Sequence, residues 1–372
     1  MKDGILAHLA RLVAWDTQNP PRALTTDAPE LAYLQEAAGP GFRATFRDHG
    51  EGRISLLLIR GAPEVLFNCH LDTVPAGEGW THPPLELVVE GGRAQGLGAC
   101  DVKGAAAALL AAASASDAPA ALLFTTDEEG SASRCVEGFL EEGEPDPRDD
   151  GGRGGHQNFR QVVVAEPTEC RAVWAHRGYL SVRGQFLGTA GHSSDPRALE
   201  ESANHRMGRW VAAAVERCRT LVRDGRPPCF NVGRMDGGEK NNVIASRARI
   251  TWSARPGPGD STEGLLEELT SLCSDPVEWT VTFAGPSLPH SRAQGDAARS
   301  FAGRMDLPVR PEPVDFWTEA SLFAQTGIPA LVLGPGSIEQ AHAPDEWVAL
   351  DQLEEAARMY RAIMEADGGR GR

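Results

Sequence analysis

Five short stretches of this sequence carry side chains that could act together. His70-Leu71-Asp72 closes one apolar run, Glu128 and Glu129 close a second, and Glu166 closes a third. Asp101 lies in the glycine-flanked turn Gly96-Leu97-Gly98-Ala99-Cys100-Asp101-Val102-Lys103-Gly104, and His342 lies in Ala341-His342-Ala343-Pro344-Asp345-Glu346. A strand-end histidine beside a carboxylate is, by itself, an ordinary structural pair. The accumulation is what points to chemistry. Adjacent glutamates at a buried strand end repel each other, and they cost stability unless protons or cations compensate. Imidazole and carboxylate groups in such numbers are ligand-type residues.

The elements that must position them are legible as alternating patterns. Ile5, Leu6, Leu9, Leu12 and Val13 recur at helical spacing and predict an N-terminal helix, stopped by Asp16-Thr17-Gln18-Asn19-Pro20-Pro21. Strands are expected at 54–60, 64–69, 85–89, 120–126 and 161–165, with an alanine-rich helix over 104–116 and another helix at 134–141. Strands alternating with helices predict an α/β fold, a mainly parallel sheet flanked by helices on both faces. In such sheets ligands bind at the carboxyl ends of the strands. His70 with Asp72, Glu128 with Glu129, and Glu166 all fall at that end.

From about Trp174 the texture changes. A long helix over 198–223 and strands over 229–235 and 242–255 predict a small α+β domain inserted at 174–284. The first domain is then split into 1–173 and 285–372, with strands expected at 309–314 and 330–333 and a closing helix after Leu350. The Gly/Asp/Pro/Arg-rich stretch from Gly143 to Gln157 reads as a surface insertion, with a substrate lid as the alternative.

Composition narrows the class. The 372 residues are too many for one ordinary domain, and 41% hydrophobic residues suffice for a core. A net charge of -16 and a pI near 5.1 repel phosphate, which argues against nucleic acid or anionic membrane as partner. Seven scattered cysteines without a C-x-x-C pair fit reduced thiols in the cytoplasm. No signal-peptide core and no bilayer-length apolar run are present.

The same residues carry a resemblance. Together with Gly191-His192-Ser193-Ser194-Asp195-Pro196, Thr318-Glu319-Ala320 and the run from Gly334 to His342, they resemble the M20 metallopeptidase/amidohydrolase family, and within it the acetylornithine deacetylase group. Val164 to Thr168, Ala175 to Gly178 and Asp315 to Phe323 are most similar to the N-acetylcitrulline branch. The resemblance implies a zinc-peptidase-like catalytic domain with an inserted dimerisation or lid domain. It implies two zinc ions, with cobalt as a possible substitute: one held by His70, Asp101 and Glu166, the other by Asp101, Glu129 and His342. Glu128 would be the general base, Asp72 the partner of His70, and His192 an oxyanion donor reaching across a homodimer. Asn242 and Arg255 would bind the substrate α-carboxylate, with the Gly334 and Gly336 backbone approaching it, and Arg177 and Glu319 would shape the side-chain pocket. The implied reaction is hydrolysis of an N-acetyl amino acid in arginine biosynthesis. A succinyl-diaminopimelate desuccinylase, a dipeptidase, or a non-catalytic binder of an amino-acid derivative are the alternatives. Loss of a ligand or of the base would mark the non-catalytic binder, and none is missing. Ala245, where the family often has proline, is a departure.

Overall fold

In the computed structural model the described residues are 2–20, 24–130, 133–142 and 159–368. The stretch from Gly143 to Gln157 lies outside them. In chain order the first elements are α1 (Lys2–Ala14), α2 (Pro29–Ala37), β1 (Arg43–Asp48), β2 (Ile54–Arg60), β3 (Val65–His70), β4 (Val88–Glu90) and β5 (Arg93–Gln95). They continue as α3 (Lys103–Ser114), β6 (Ala120–Thr125), α4 (Arg134–Glu142) and β7 (Gln161–Val164). Next come β8 (Tyr179–Leu187), β9 (Gly191–His192), α5 (Ala198–Glu201), α6 (Ala203–Arg223) and β10 (Cys229–Gly237). After them follow β11 (Val243–Ile244), β12 (Arg247–Arg255), α7 (Thr262–Thr270) and β13 (Val277–Gly285). The chain closes with α8 (Arg292–Arg304), α9 (Ala320–Gln325), β14 (Ala330–Val332), β15 (Trp347–Ala349) and α10 (Leu350–Gly368).

The chain divides into two compact units. The first comprises 1–174, 291–312 and 318–372, and the second comprises 175–290 together with 313–317. The first unit is built on a six-stranded sheet of order β1-β2-β6-β3-β7-β14. Strands β6, β3, β7 and β14 run parallel, and β2 and β1 extend the sheet antiparallel. The central strands β3, β6 and β7 are buried at every position, as expected of parallel strands covered on both faces. Beside the sheet, α3 is buried along nearly its whole length. Its alanines let α1 and α10 pack close, so the helix is apolar on every side.

Register sets the site. His70 lies opposite Thr125, and Asn68 opposite Val164, so the carboxyl ends of β3, β6 and β7 finish side by side.

The second unit is an antiparallel sheet of order β10-β12-β8-β13. Strands β8 and β12 alternate buried with more exposed residues, the pattern of a sheet covered on one face. Helix α6 buries Ala203, Met207, Trp210, Ala214, Cys218 and Leu221 at helical spacing against that face. Trp210 anchors the core, 5.5 Å from the Trp252 ring and 4.9 Å from the Trp279 ring, with its Nε1 donating to the Leu269 carbonyl at 2.9 Å.

Four sequence expectations need correction. The helix over 198–223 is two helices, because Ser202 is extended (φ -72°, ψ 122°). The strand over 242–255 is two strands, β11 and β12. No strand forms at 309–314: Pro308, Pro311 and Pro313 lack ladder donors, and only isolated bridges from Val309 to Ala172 and from Val314 to His176 remain. The strand expected at 85–89 begins only at Val88.

Candidate active site

Three strand ends and two loops of the first unit converge. His70 Nε2 lies 3.2 Å from Asp101 Oδ1 and 3.6 Å from Glu166 Oε1. His342 Nε2 lies 2.8 Å from Glu129 Oε1 and 3.3 Å from Asp101 Oδ2. Asp101 therefore turns one oxygen to each histidine. Two donor groups result, His70–Asp101–Glu166 and Asp101–Glu129–His342, with donor atoms within 4.8 Å of one another in each. The first group is buried, whereas His342 is exposed on a loop where its φ is +58°.

Asp72 holds three pieces of this site at once. Its Oδ2 accepts from Asn19 Nδ2 at 2.9 Å and from the Glu129 amide at 3.0 Å, and its Oδ1 accepts from the Glu128 amide at 3.3 Å. The nearest partner of His70 Nδ1 is the Asp72 backbone carbonyl at 3.0 Å, with the carboxylate at 3.5 Å. The expected carboxylate–imidazole pairing is thus secondary, and the carboxylate mainly fixes the Glu128–Glu129 turn.

The electrostatics are those of a site short of positive charge. Burial pushes Glu128, Glu129 and Glu166 above the usual carboxylate range, and the neighbouring carboxylates add to the push. Bonds to Asp101 and Glu129 raise His342 to about 11. Burial opposes a charged His70, yet Asp101 and Asp72 hold its pKa well above the ordinary imidazole value. Burial also works against an ionised Asp101, but the two histidines pull it down. The buried Lys103, lowered to about 7 by desolvation, donates from Nζ to the Trp15 carbonyl. A donor set of imidazole and carboxylate without cysteine, with an excess of negative charge, suits divalent cations such as zinc, cobalt or manganese. The residues fit a metal pair.

The profile of peptidase family M20/M25/M40 matches residues 66–366. The chain belongs to this family. It is 44% identical over 370 residues to N-acetyl-L-citrulline deacetylase of Xanthomonas campestris pv. campestris, covering 96% of this chain and 97% of that protein. It is 31% identical over 395 residues to acetylornithine deacetylase of Myxococcus xanthus, covering 98% of each. Among solved structures, the aminopeptidase PepT of Bacillus cereus superposes with a TM-score of 0.72 at 17% identity, covering 99% of each chain. A dinuclear metal binding peptidase from Bacillus subtilis does so with a TM-score of 0.65 at 12% identity, covering 99% of this chain and 98% of that one. These superpositions show the M20 fold.

The remaining site candidates divide between the units. In the second unit, β9 pairs with β11 so that His192 lies opposite Val243. His192 Nδ1 accepts from the Ser194 amide at 3.2 Å and lies 2.8 Å from Ser194 Oγ, and the side chain is exposed. The Asn242 carbonyl accepts from the Ser193 amide at 3.1 Å, joining it to the same turn. Arg255 lies 4.5 Å above the Tyr179 ring, and its Nη1 donates to the Asp315 carbonyl at 3.4 Å. Arg177 donates to Asp315 Oδ1 and to the Pro227 carbonyl, each at 2.7 Å.

In the first unit the Gly334 amide donates to Thr168 Oγ1 and the Gly336 amide to Gln352 Oε1. Both amides are committed within the fold. A Cβ at Gly334 would lie 2.6 Å from the Glu166 carbonyl, so this glycine lets the loop press on the Glu166 turn instead of presenting an amide to substrate. Glu319 is 1% exposed and accepts from Asn68 Nδ2 at 2.7 Å and Thr125 Oγ1 at 3.2 Å. These bonds fix it to the ends of β3 and β6, close to Glu128 and Glu166.

Two contributors escaped the sequence reading. Asn19 also donates to the Thr126 carbonyl, and Thr17 Oγ1 donates to the Leu71 carbonyl at 2.6 Å, so the N-terminal turn rivets the ends of β3 and β6. Glu346 is the second. The turn motif and the acidic residue after His342 were visible, but their partners were not.

Proposed function

We propose that the protein is a di-metal deacetylase that hydrolyses the acetyl amide of an N-α-acetylated amino acid, N-acetylcitrulline or N-acetylornithine, and releases acetate. The observation that carries the chemistry is Asp101, whose two oxygens serve two histidines, with Glu128 in neither donor group. The near full-length relatives named above support the substrate class.

In this reading His70, Asp101 and Glu166 hold one ion, and Asp101, Glu129 and His342 hold the other. Two zinc ions, replaceable by cobalt, would supply Lewis acidity toward the amide carbonyl and toward water. Glu128 takes a proton from the attacking water and returns it to the amine nitrogen as the C–N bond breaks. His192, reaching across the homodimer, hydrogen-bonds through a ring N–H to the developing oxyanion and keeps its proton, and the Arg255 guanidinium with Asn242 orients the α-carboxylate. Arg177 shapes the side-chain pocket through its hold on Asp315.

A homodimer formed through the second unit fits its surface. Its edge strand β10 is largely exposed, Met235 is 48% exposed, and Leu199, Val222, Val243 and Val281 are exposed as well. A cytoplasmic place in arginine biosynthesis fits seven free cysteines. Among the described residues no helix is long and apolar enough to cross a membrane.

Acetate release from acetylcitrulline and acetylornithine should vanish on chelation and return with zinc. Comparison with succinyl-diaminopimelate on the reloaded protein tests the substrate class. Full activity in metal-free protein, or preference for the succinyl compound, refutes the proposal.

A further inference from the structure

We propose that Glu346 is a positioning residue for Asp101 and ties the two donor groups together through the backbone; this rests on the di-metal reading above. Asp101 is the shared member of both groups, yet its turn belongs to no helix or sheet ladder. Buried amides in such a turn need acceptors. Three of them end on one side chain. Glu346 Oε1 accepts from the Cys100 and Asp101 amides, each at 2.8 Å, and Oε2 accepts from the Gly98 amide at 2.9 Å. The Glu346 carbonyl takes a fourth, from Gly96 at 2.9 Å. Three amides converging on one buried carboxyl group anchor the turn at both of its oxygens.

The anchor reaches the other donor group because Glu346 follows His342 by four residues. The loop between them is pinned on its far side, where Asp345 Oδ1 accepts from the Thr81 amide at 2.8 Å and from Thr81 Oγ1 at 3.1 Å. Beyond Glu346 the chain enters β15, where Trp347 pairs with Gln95 of β5, the strand that leads into the Asp101 turn. The His342 loop and the Asp101 turn therefore share one attachment. The turn has no slack to compensate: a Cβ at Gly98 would lie 2.7 Å from Thr73 Cγ2 and 2.9 Å from Lys103 Cδ. An aspartate side chain has two torsions, so holding the Asp101 amide holds the carboxylate between the two histidines.

Glu346→Gln tests this with shape kept. One oxygen of the carboxylate becomes an NH2 facing a backbone N–H, so at least one amide of the turn loses its acceptor. Titration calorimetry with zinc and cobalt should show affinity for both ions falling about 10–100-fold, the usual effect of removing a partner that orients a ligand. Hydrogen exchange of the Gly98, Cys100 and Asp101 amides should quicken in the metal-free variant, and the cobalt visible spectrum should change. Asp345→Asn, on the same loop but without a bond to the turn, should leave affinity within about twofold of wild type. Should the Gln protein not fold, Glu346→Asp, which keeps the charge but withdraws it by one methylene, is read in the same way. A folded variant with wild-type affinity at both ions and only a lower Tm overturns the proposal, because Glu346 would then merely cap the turn. Wild-type protein that binds two ions but releases no acetate refutes the deacetylase reading and leaves the Glu346 comparison standing.

Discussion

Asp72→Asn separates two ways in which an aspartate beside a ligand histidine can act. If it worked mainly through the imidazole, the variant would lose the ion of the His70 group. The structure gives a different expectation. His70 Nδ1 keeps the Asp72 backbone carbonyl at 3.0 Å, so the ring's orientation and tautomer survive the substitution. The side chain, however, accepts from Asn19, Glu128 and Glu129, and an asparagine has only one oxygen. The milder orientation keeps that oxygen on Asn19 and Glu129, whose bonds are the shorter, and turns NH2 toward Glu128 and His70. One bond to a charged acceptor is then lost, worth about 1.5–3 kcal/mol. That is a sizeable part of a stability of about 5–15 kcal/mol, but it leaves a folded protein. The Glu128 amide faces a donor, and the base shifts. Turnover should fall about 10–100-fold while two ions remain bound. Metal content by elemental analysis, Tm and kcat on acetylcitrulline measure the three quantities. Loss of one ion with normal turnover in the reloaded protein would show that the aspartate acts through His70.

Three further outcomes follow from particular contacts. Glu128→Gln should keep both ions and lose about two to four orders of magnitude in kcat, whereas Glu129→Gln should lose the ion shared with His342; the reverse pattern would exchange their roles. Burial raises Glu319 to about 8, so the proton it carries in the fold stabilises fully below the unfolded-state value near 4.5 and is lost as pH rises through 8. The Tm advantage of Glu319→Gln over wild type should therefore grow between about pH 5 and pH 8, and a difference independent of pH refutes the assignment. Gly334→Ala places a Cβ against the Glu166 backbone and should cost about 1–3 kcal/mol together with metal affinity; unchanged urea denaturation and metal binding would contradict that packing.

Much of this was legible in the sequence, for local reasons. The runs that become β3, β6 and β7 are mainly apolar, and each is followed within a few residues by a ligand-type residue, so strand and donor were signalled together. Strand β1 and helix α2 were missed because Arg43 to Asp48 is a half-exposed edge and α2 buries only Leu31 and Leu34. The break at Ser202 interrupts no periodicity strongly enough to read. The roles of Asn19 and Glu346 were hidden for a different reason. Their bonds join residues 53 to 107 and 245 to 248 positions apart, and a single sequence carries no pattern over such spans. Gly334 and Gly336 misled in the opposite sense, since a glycine-rich turn looks open to ligand until its amides are found already bonded.

The order of the donors along the chain bears on how the protein is made. Residues 70, 101, 129 and 166 precede the second unit in the chain, while His342 and Glu346 follow it. A growing chain can thus present the first donor group long before the second, and Asp101 spends that interval without the carboxylate that holds its turn. Because synthesis proceeds from the N-terminus, completion of the metal pair waits until the chain has passed through the second unit to His342. A chain interrupted before His342 is restricted to the His70–Asp101–Glu166 group, so capture of the second ion reports that synthesis has passed that residue.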